Sequence, residues 1–133
     1  MNWFVRWIRF NLVGAMGMAV QLVTLAFVNH WTRGRYMIAS SVAIELTLLH
    51  NFAWHLHYTW RDRRDQADKS SRLAQLAKFH LSNGLVSLLG NLILMRLLVR
   101  EAHLPVLAAN GASILCCSIV NFSLSNLWAF ARA

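Results

Sequence analysis

The first long apolar stretch of the chain, residues 10–31 (FNLVGAMGMAVQLVTLAFVNHW), contains no formally charged residue. About twenty such residues are enough for an α-helix to cross the ~30 Å hydrocarbon layer of a bilayer. A helix is expected because lipid offers no hydrogen-bond partner to a free backbone amide. The stretch is longer than the core of a signal peptide, which has about 7–15 apolar residues. We therefore expect a transmembrane helix here.

Three more apolar stretches of similar length follow, at residues 36–60, 79–98 and 105–130. The second contains one acid, Glu45, and the third contains one base, Arg96, whereas the fourth has no formal charge. Each is long enough to span the hydrocarbon layer as a helix. The sequence therefore predicts an all-α integral membrane protein with four transmembrane helices. It forms a single membrane domain over residues 1–133, with a basic loop at residues 61–78.

The composition excludes several classes of protein. Hydrophobic residues make up 57% of the 133 residues and charged residues only 14%, where a soluble domain has about a quarter charged residues. This argues against a soluble enzyme, a disordered tail and a disulfide-rich secreted module. The adjacent Cys116 and Cys117 lie inside an apolar stretch and are interpreted as small packing residues, not as metal ligands.

The net charge of +8 comes from basic residues that lie mainly between the apolar stretches. Anionic lipid head groups, rather than nucleic acid, are therefore the expected partners. Nine Lys and Arg lie on one predicted side of the membrane and four on the other, so the positive-inside rule places both termini and the central loop in the cytoplasm. The nine are Arg6, Arg9, Arg61, Arg63, Arg64, Lys69, Arg72, Lys78 and Arg132.

The two halves of the chain resemble each other when one is shifted by 70 residues. Asn51-Phe52 then matches Asn121-Phe122, and Gly14 matches Gly84. With a shift of 69, Arg9-Phe10 matches Lys78-Phe79. Each half is a helical hairpin, and an even number of crossings gives both hairpins the same orientation. The fold is thus predicted to be two parallel repeats of a hairpin, although chance similarity between two apolar hairpins is the alternative.

Residues 45–63 (ELTLLHNFAWHLHYTWRDR) resemble the end of the second helix in the GtrA-like family. Residues 121–130 (NFSLSNLWAF) are similar to the end of the family's fourth helix, and Arg9-Phe10 with Gly14 and Gly17 is similar to its start. The resemblance extends over about residues 6–131. The most specific feature is the Asn-Phe pair with an aromatic-rich helix end, which occurs in both halves.

This resemblance implies a multi-pass protein of the bacterial inner membrane that serves the synthesis of cell-surface polysaccharide or glycolipid. Members are proposed to flip polyprenyl phosphate, or a sugar linked to it, across the membrane. The implied partners are the polyprenyl-phosphate carrier and a membrane glycosyltransferase, in addition to the anionic membrane lipids expected from the charge. No cofactor or metal is implied. The small residues that allow close helix packing are also compatible with a homo-oligomer.

Two charged residues inside the spans are candidate functional residues. Glu45 lies about fifteen residues before Trp60, or roughly 22 Å along a helix, and Arg96 lies a similar distance after Lys78. A carboxylate at that depth is costly, so we expect Glu45 in the interior of the bundle or in a cavity. It is either a proton-coupling or substrate-contacting group, or an acid that locks two helices. A Glu45–Arg96 pair is geometrically plausible.

The end of the second helix is the other candidate site. Arginines after this helix suit a phosphate because the guanidinium donates bidentately, and apolar surface below would hold an isoprenoid chain. The competing explanation for the arginines is that they only set the membrane topology. The competing explanation for the asparagines is that they form hydrogen bonds between helices. The residues predicted to bind a lipid phosphate or the substrate are Glu45, His50, Asn51, His55, Arg61, Arg63, Lys78, Arg96 and Asn121.

The function implied by this resemblance is transport, and no set of catalytic residues that would favour an enzyme is apparent in the sequence. The alternative is an adaptor without transport activity that anchors a glycosyltransferase through the basic central loop. A third interpretation is a small proton-coupled drug exporter of four helices. Such exporters carry an essential acid in the first helix, and the first span here has none.

Overall fold

A computed structural model describes residues 2–33, 35–66 and 69–131. All of the secondary structure in these ranges is helical, which agrees with the predicted all-α class. The chain divides into two compact units, Met1–Arg64 and Asp65–Ala133. The sequence predicts a single membrane domain made of two repeats. The boundary between the two compact units falls between these predicted repeats.

The first unit is a hairpin of two long helices. Helix α1 covers Trp3–Trp31, and its first turn is capped by the Asn2 side chain, which accepts a hydrogen bond from the Phe4 amide (3.2 Å). Helix α2 covers Tyr36–Trp54 and continues as a π-helical turn over His55–Thr59. A short 3₁₀-helix follows at Arg61–Gln66.

The second unit is also a hairpin, but its first helix is interrupted by π-helical segments. Helix α3 (Lys69–Phe79) leads through a π-helix at His80–Leu85 into helix α4 (Val86–Arg96), which ends in a π-helix at Leu97–Glu101. The second helix of this hairpin, α5, covers Val106–Leu124 and ends in a π-helical turn at Ser125–Ala129.

Small residues line the helix interface in both hairpins. In α2, Ala39, Ala43 and Thr47 are buried at four-residue spacing. In α5, Ala109, Ser113 and Cys117 are buried at the equivalent positions. Residues four apart lie on one helix face, and small side chains there let two backbones approach closely. The four-residue stripe is therefore what brings the two helices of each hairpin together.

The π-helix at His80–Leu85 explains why the repeat changes its shift from 69 to 70. Phe10 and Gly17, which both face α2, are seven residues apart, whereas their counterparts Phe79 and Ser87 are eight apart. The π-helix lies between Phe79 and Ser87. Its wider turn accommodates one additional residue. Both ends of the helix therefore keep the same face toward the second helix of the hairpin.

Within the described ranges, three helices are long and apolar enough to cross a membrane: Trp3–Trp31, Ser71–Glu101 and Ala108–Ala129. They correspond to the first, third and fourth predicted spans and make this a multi-pass membrane protein. The second predicted span, residues 36–60, is helical from Tyr36 to Thr59. Glu45, His50 and Asn51 lower its hydropathy, so its membrane crossing remains a prediction.

The predicted loop at residues 61–78 differs from the structure. Residues 61–66 form the 3₁₀-helix and residues 69–79 form α3, while residues 67 and 68 lie outside the described ranges. The third helix thus begins about ten residues before the predicted span. The residues that α3 adds before the predicted span are polar, so they do not raise the mean hydropathy. A prediction based on apolar stretches therefore missed this part of the helix.

We expect deletion of Leu81 to be tolerated and deletion of Leu89 to be disruptive. Both residues are exposed, but Leu81 lies in the π-helix and Leu89 in α4. Removing Leu81 restores the seven-residue spacing of the first hairpin and converts the π-helix into an α-helix. Removing Leu89 turns the preceding part of the helix by about 100° relative to the rest. Thermal unfolding in detergent measures both; equal losses would contradict this explanation of the π-helix.

Candidate functional site

The candidate site lies at the open end of the first hairpin, by which we mean the end opposite the turn that joins its two helices. A cluster of three buried rings closes this end. The ring of Phe10 stacks on His55, with centroids 4.7 Å apart and planes 9° apart, and Trp60 meets both rings edge-on at 6.0 and 5.3 Å. Trp60 is fully buried. We call Phe10, His55 and Trp60 the ring cluster.

His55 belongs to the ring cluster rather than to a ligand-binding surface. Its side chain is only 2% exposed, and its Nδ1 lies 3.0 Å from the Thr59 hydroxyl. His55 continues the four-residue stripe of Ala43 and Thr47, which faces α1. The prediction that His55 contacts a phosphate therefore differs from this structure, in which the ring is packed inside the hairpin.

An ion pair fastens the chain after Trp60 to α1. Nη2 of Arg6 donates to Oδ2 of Asp62 at 2.9 Å, and the Arg6 side chain is 8% exposed. In the sequence, Arg6 contributes only to the predicted membrane topology, and no partner is predicted for Asp62. The repeat gave no signal for this pair, because the position that matches Arg6 with a shift of 69 is Gln75.

Cationic side chains lie at the same open end as the ring cluster. The Arg9 guanidinium lies 4.8 Å from the centroid of the Tyr58 ring and donates to the Tyr58 carbonyl (3.3 Å). The Arg64 guanidinium donates to Nδ1 of His57 (3.2 Å). Two predicted ligands, Arg61 and Arg63, belong to the 3₁₀-helix that follows the cluster, where Arg61 is exposed and Arg63 half-buried. The structure thus brings basic groups together at this open end.

The open end of the second hairpin has equivalent contacts. Nζ of Lys78, another predicted ligand, lies 5.8 Å from the centroid of the Trp128 ring. The buried rings of Phe79 and Phe130 meet edge-on at 5.9 Å. Ser125 takes the position of His55 and accepts a hydrogen bond from Asn83 (3.1 Å). The second hairpin therefore has a cation–aromatic pair and an aromatic contact, with Ser125 in the place of the stacked histidine.

The two predicted asparagines lie at the helix interfaces. Asn51 packs against Gly17 of α1, and its Oδ1 is 3.2 Å from Nδ1 of His50. Asn121 is 6% exposed and donates to the Ser87 hydroxyl at 2.7 Å. Both amides thus pack within their hairpins. This agrees with the helix–helix interpretation of these residues more closely than with substrate binding.

Glu45 does not lie in the interface between the two helices of its hairpin, and its expected position in the interior of the bundle or in a cavity stays a prediction. The side chain is exposed, because Glu45 follows Ala43 by two residues and is therefore turned by about 200° from the buried stripe. Arg96, the last residue of α4, is exposed as well. The two residues belong to different units, and their pairing remains a prediction.

Residues 9–130 match the family described as GtrA/DPMS, transmembrane domain. No curated protein sequence matches the chain. The matched range begins at Arg9, the cation above Tyr58, and ends at Phe130, which contacts Phe79. It includes both hairpins and the central helical segment.

We expect Gly17→Ala to destabilise the protein and Gly14→Ala to leave it as stable or slightly more stable. A Cβ at Gly17 would overlap the Asn51 amide, whereas a Cβ at Gly14 meets nothing within 4 Å. Overpacking of this kind costs about 1–3 kcal/mol, and Ala in a helix interior is favoured over Gly by about 0.5–1 kcal/mol. Thermal unfolding of the two variants in the same detergent is the measurement. Equal stability would show that Asn51 can move away from Gly17 freely.

Proposed function

The chain belongs to the GtrA/DPMS transmembrane domain family, and we propose that it flips polyprenyl phosphate, or a sugar carried on it, across the bacterial inner membrane. Family membership indicates a membrane protein involved in handling lipid-linked sugars. The observation that carries the proposal is the basic open end of the first hairpin, next to helices with apolar outer surfaces. In this proposal the open ends face the cytoplasm, in keeping with the nine-to-four distribution of basic residues.

The phosphate binds first at the open end. Arg61 and Arg63 lie on the 3₁₀-helix directly after the ring cluster. Guanidinium groups suit this ligand because their planar donors match two phosphate oxygens. The fixed position of this short helix favours binding: the Arg6–Asp62 ion pair holds its start against α1. His57 and Arg64, which are hydrogen-bonded to each other, add donors at the same end.

The isoprenoid tail stays in the lipid along the outer surface of the hairpin. Large apolar side chains of α1 point outward, including Leu22, Val23 and Phe27, which are each more than 60% exposed. Such a surface suits hydrocarbon of either a phospholipid or a polyprenyl chain. The tail therefore needs no cavity, and only the head group has to be shielded during passage.

Glu45 assists the passage of the head group. It lies on the outer surface of α2 rather than in the helix interface. An acid in the middle of an apolar span is costly, and the hydroxyl groups of a sugar would compensate for part of this cost. Arg96, at the far end of α4 from Lys78, offers a cation for the phosphate at the opposite side of the membrane.

Replacing both Arg61 and Arg63 by Ala should weaken binding of polyprenyl phosphate about 10- to 100-fold. This factor corresponds to losing the equivalent of one charged hydrogen bond, about 1.5–3 kcal/mol in total for the two side chains. The matched control is Arg35→Ala with Arg100→Ala, which removes two exposed arginines from the turn ends of the hairpins. Binding is measured on protein in lipid nanodiscs by titration. Unchanged binding in the Arg61/Arg63 variant would overturn the proposed capture site.

Glu45→Gln should slow flipping several-fold without weakening binding at the open end. Proteoliposomes with labelled polyprenyl phosphate, with and without a sugar, report its appearance in the opposite leaflet. Glu101→Gln, which changes an exposed acid at the turn end of the second hairpin, is the control. If wild-type protein binds the lipid but flips none, the transport proposal is wrong.

That outcome would favour an adaptor for a membrane glycosyltransferase. The observation behind this second candidate is that the basic central segment is folded into helices at Arg61–Gln66 and Lys69–Phe79, which offer a docking surface. Neutralising Arg63, Arg64 and Arg72 together should then reduce co-purification with the glycosyltransferase. Unchanged complex formation would argue against the adaptor.

A further inference from the structure

The two hairpins hold a cation over an aromatic ring at the same position of their open ends. In the first hairpin the pair is Arg9 and Tyr58, and in the second it is Lys78 and Trp128. Tyr58 and Trp128 are each the fourth residue of a terminal π-helical turn. Each cation directly precedes a buried phenylalanine that fixes its position on the helix. The identities of the cation and the ring differ between the hairpins, but their combination is kept.

We propose that each of these pairs binds one lipid phosphate, so that the chain has two phosphate sites. The first is built around Arg9 and Tyr58, at the open end that also carries Arg61 and Arg63, and the second around Lys78 and Trp128. The proposal rests on the proposed function for the identity of the lipid, a polyprenyl monophosphate, and deepens it by assigning a separate phosphate site to each hairpin.

Both cations have donors to offer a phosphate. A guanidinium has five N–H donors and an ammonium three. Within the described part of the chain, the one hydrogen bond of Arg9 is to the Tyr58 carbonyl, and the contact of Lys78 is with the Trp128 ring. The aromatic ring holds each cation in place, which lowers the entropy lost when a phosphate binds.

The nearby acid does not compete with a phosphate for Arg9. Asp62 is the ion-pair partner of Arg6, whose side chain is almost fully buried. Arg9, in contrast, is half-buried. The first open end therefore separates two roles: Arg6 neutralises the acid and fastens the chain, and Arg9 remains accessible to a ligand.

The rings lie where a head group can reach them. Tyr58 is 37% and Trp128 is 43% exposed, although both neighbour fully or almost fully buried rings. Tyr and Trp of membrane proteins concentrate at the level of the lipid head groups. A cation–π contact alone contributes about 0.5–1 kcal/mol at an exposed site. If each pair only anchors the protein in the membrane, it binds no particular ligand. Measuring lipid binding therefore distinguishes a phosphate site from a membrane anchor.

Native mass spectrometry of the intact protein, titrated with a short-chain polyprenyl monophosphate, tests the proposal by counting bound lipids. We expect two bound lipids for the wild type, one for Arg9→Gln, one for Lys78→Gln and none for the double variant. Lys78→Arg should keep both. Arg35→Gln with Arg100→Gln, at the turn ends, is the control and should also retain two.

Two parallel titrations identify the source of the phosphate. Phosphatidylglycerol tests whether any anionic lipid binds, and inorganic phosphate tests whether the tail is needed. Equal affinity for phosphatidylglycerol would overturn the assignment to a monophosphate lipid. Thermal unfolding of each variant controls for misfolding, and Tyr58→Phe, which keeps the ring, should fold and bind as the wild type does.

The failure of this inference can be told apart from the failure of the proposed function. A wild type that binds one lipid, or an Arg9→Gln variant that still binds two, overturns the two-site proposal even if the protein flips its substrate. Two bound lipids that are lost one by one in the variants uphold it, even if no flipping is observed in proteoliposomes.

Discussion

The close approach of two helices in each hairpin is the constraint on which the rest of the structure depends. Lipid provides no hydrophobic force between helices, so their association relies on packing and on hydrogen bonds between them. The buried stripes of small residues that begin at Ala39 and Ala109 supply the packing. Because the backbones are close, Asn51 reaches Gly17 and Asn121 reaches Ser87. Further along the same stripes, the rings of the open ends meet. The positions of the cations at the open ends thus depend on helix packing that begins near the turn of each hairpin.

The register of the second hairpin follows from the same constraint. An additional residue in an α-helix would turn everything beyond it away from its partner. The π-helix at His80–Leu85 absorbs that residue, so Phe79 and Ser87 both still face α5. The two hairpins therefore make equivalent helix–helix contacts, although the contacting residues are spaced differently along the two sequences. This is why a single shift does not align the two halves of the sequence.

Hydropathy predicted the helical class and most helix ends, because apolar length is what a membrane helix requires. It failed at Lys69–Lys78, where the helix is polar and resembles a loop in composition. The candidate site was predicted in part: the arginines after Trp60 lie at the open end, since their position in the chain determines this. His55 is buried because it lies eight residues after Thr47, two steps along the four-residue stripe, which turns it inward; the sequence contained this signal. The Arg6–Asp62 pair depends on the tertiary fold, and nothing in the spacing of the sequence joins residues so far apart in the chain.

The exposure of Glu45 bears on where a head group can cross. A two-helix hairpin whose interface is filled by small residues and amides has no room for a sugar phosphate between its helices. A polar group that serves passage must then lie on an outer surface, and Glu45 does. Burying it within the hairpin would separate the backbones that the small residues hold together. In the proposed transport function, the same packing that builds the hairpin would exclude the substrate from its interface, so a passage along the outer surface of α2 fits both the small-residue stripe and the acid.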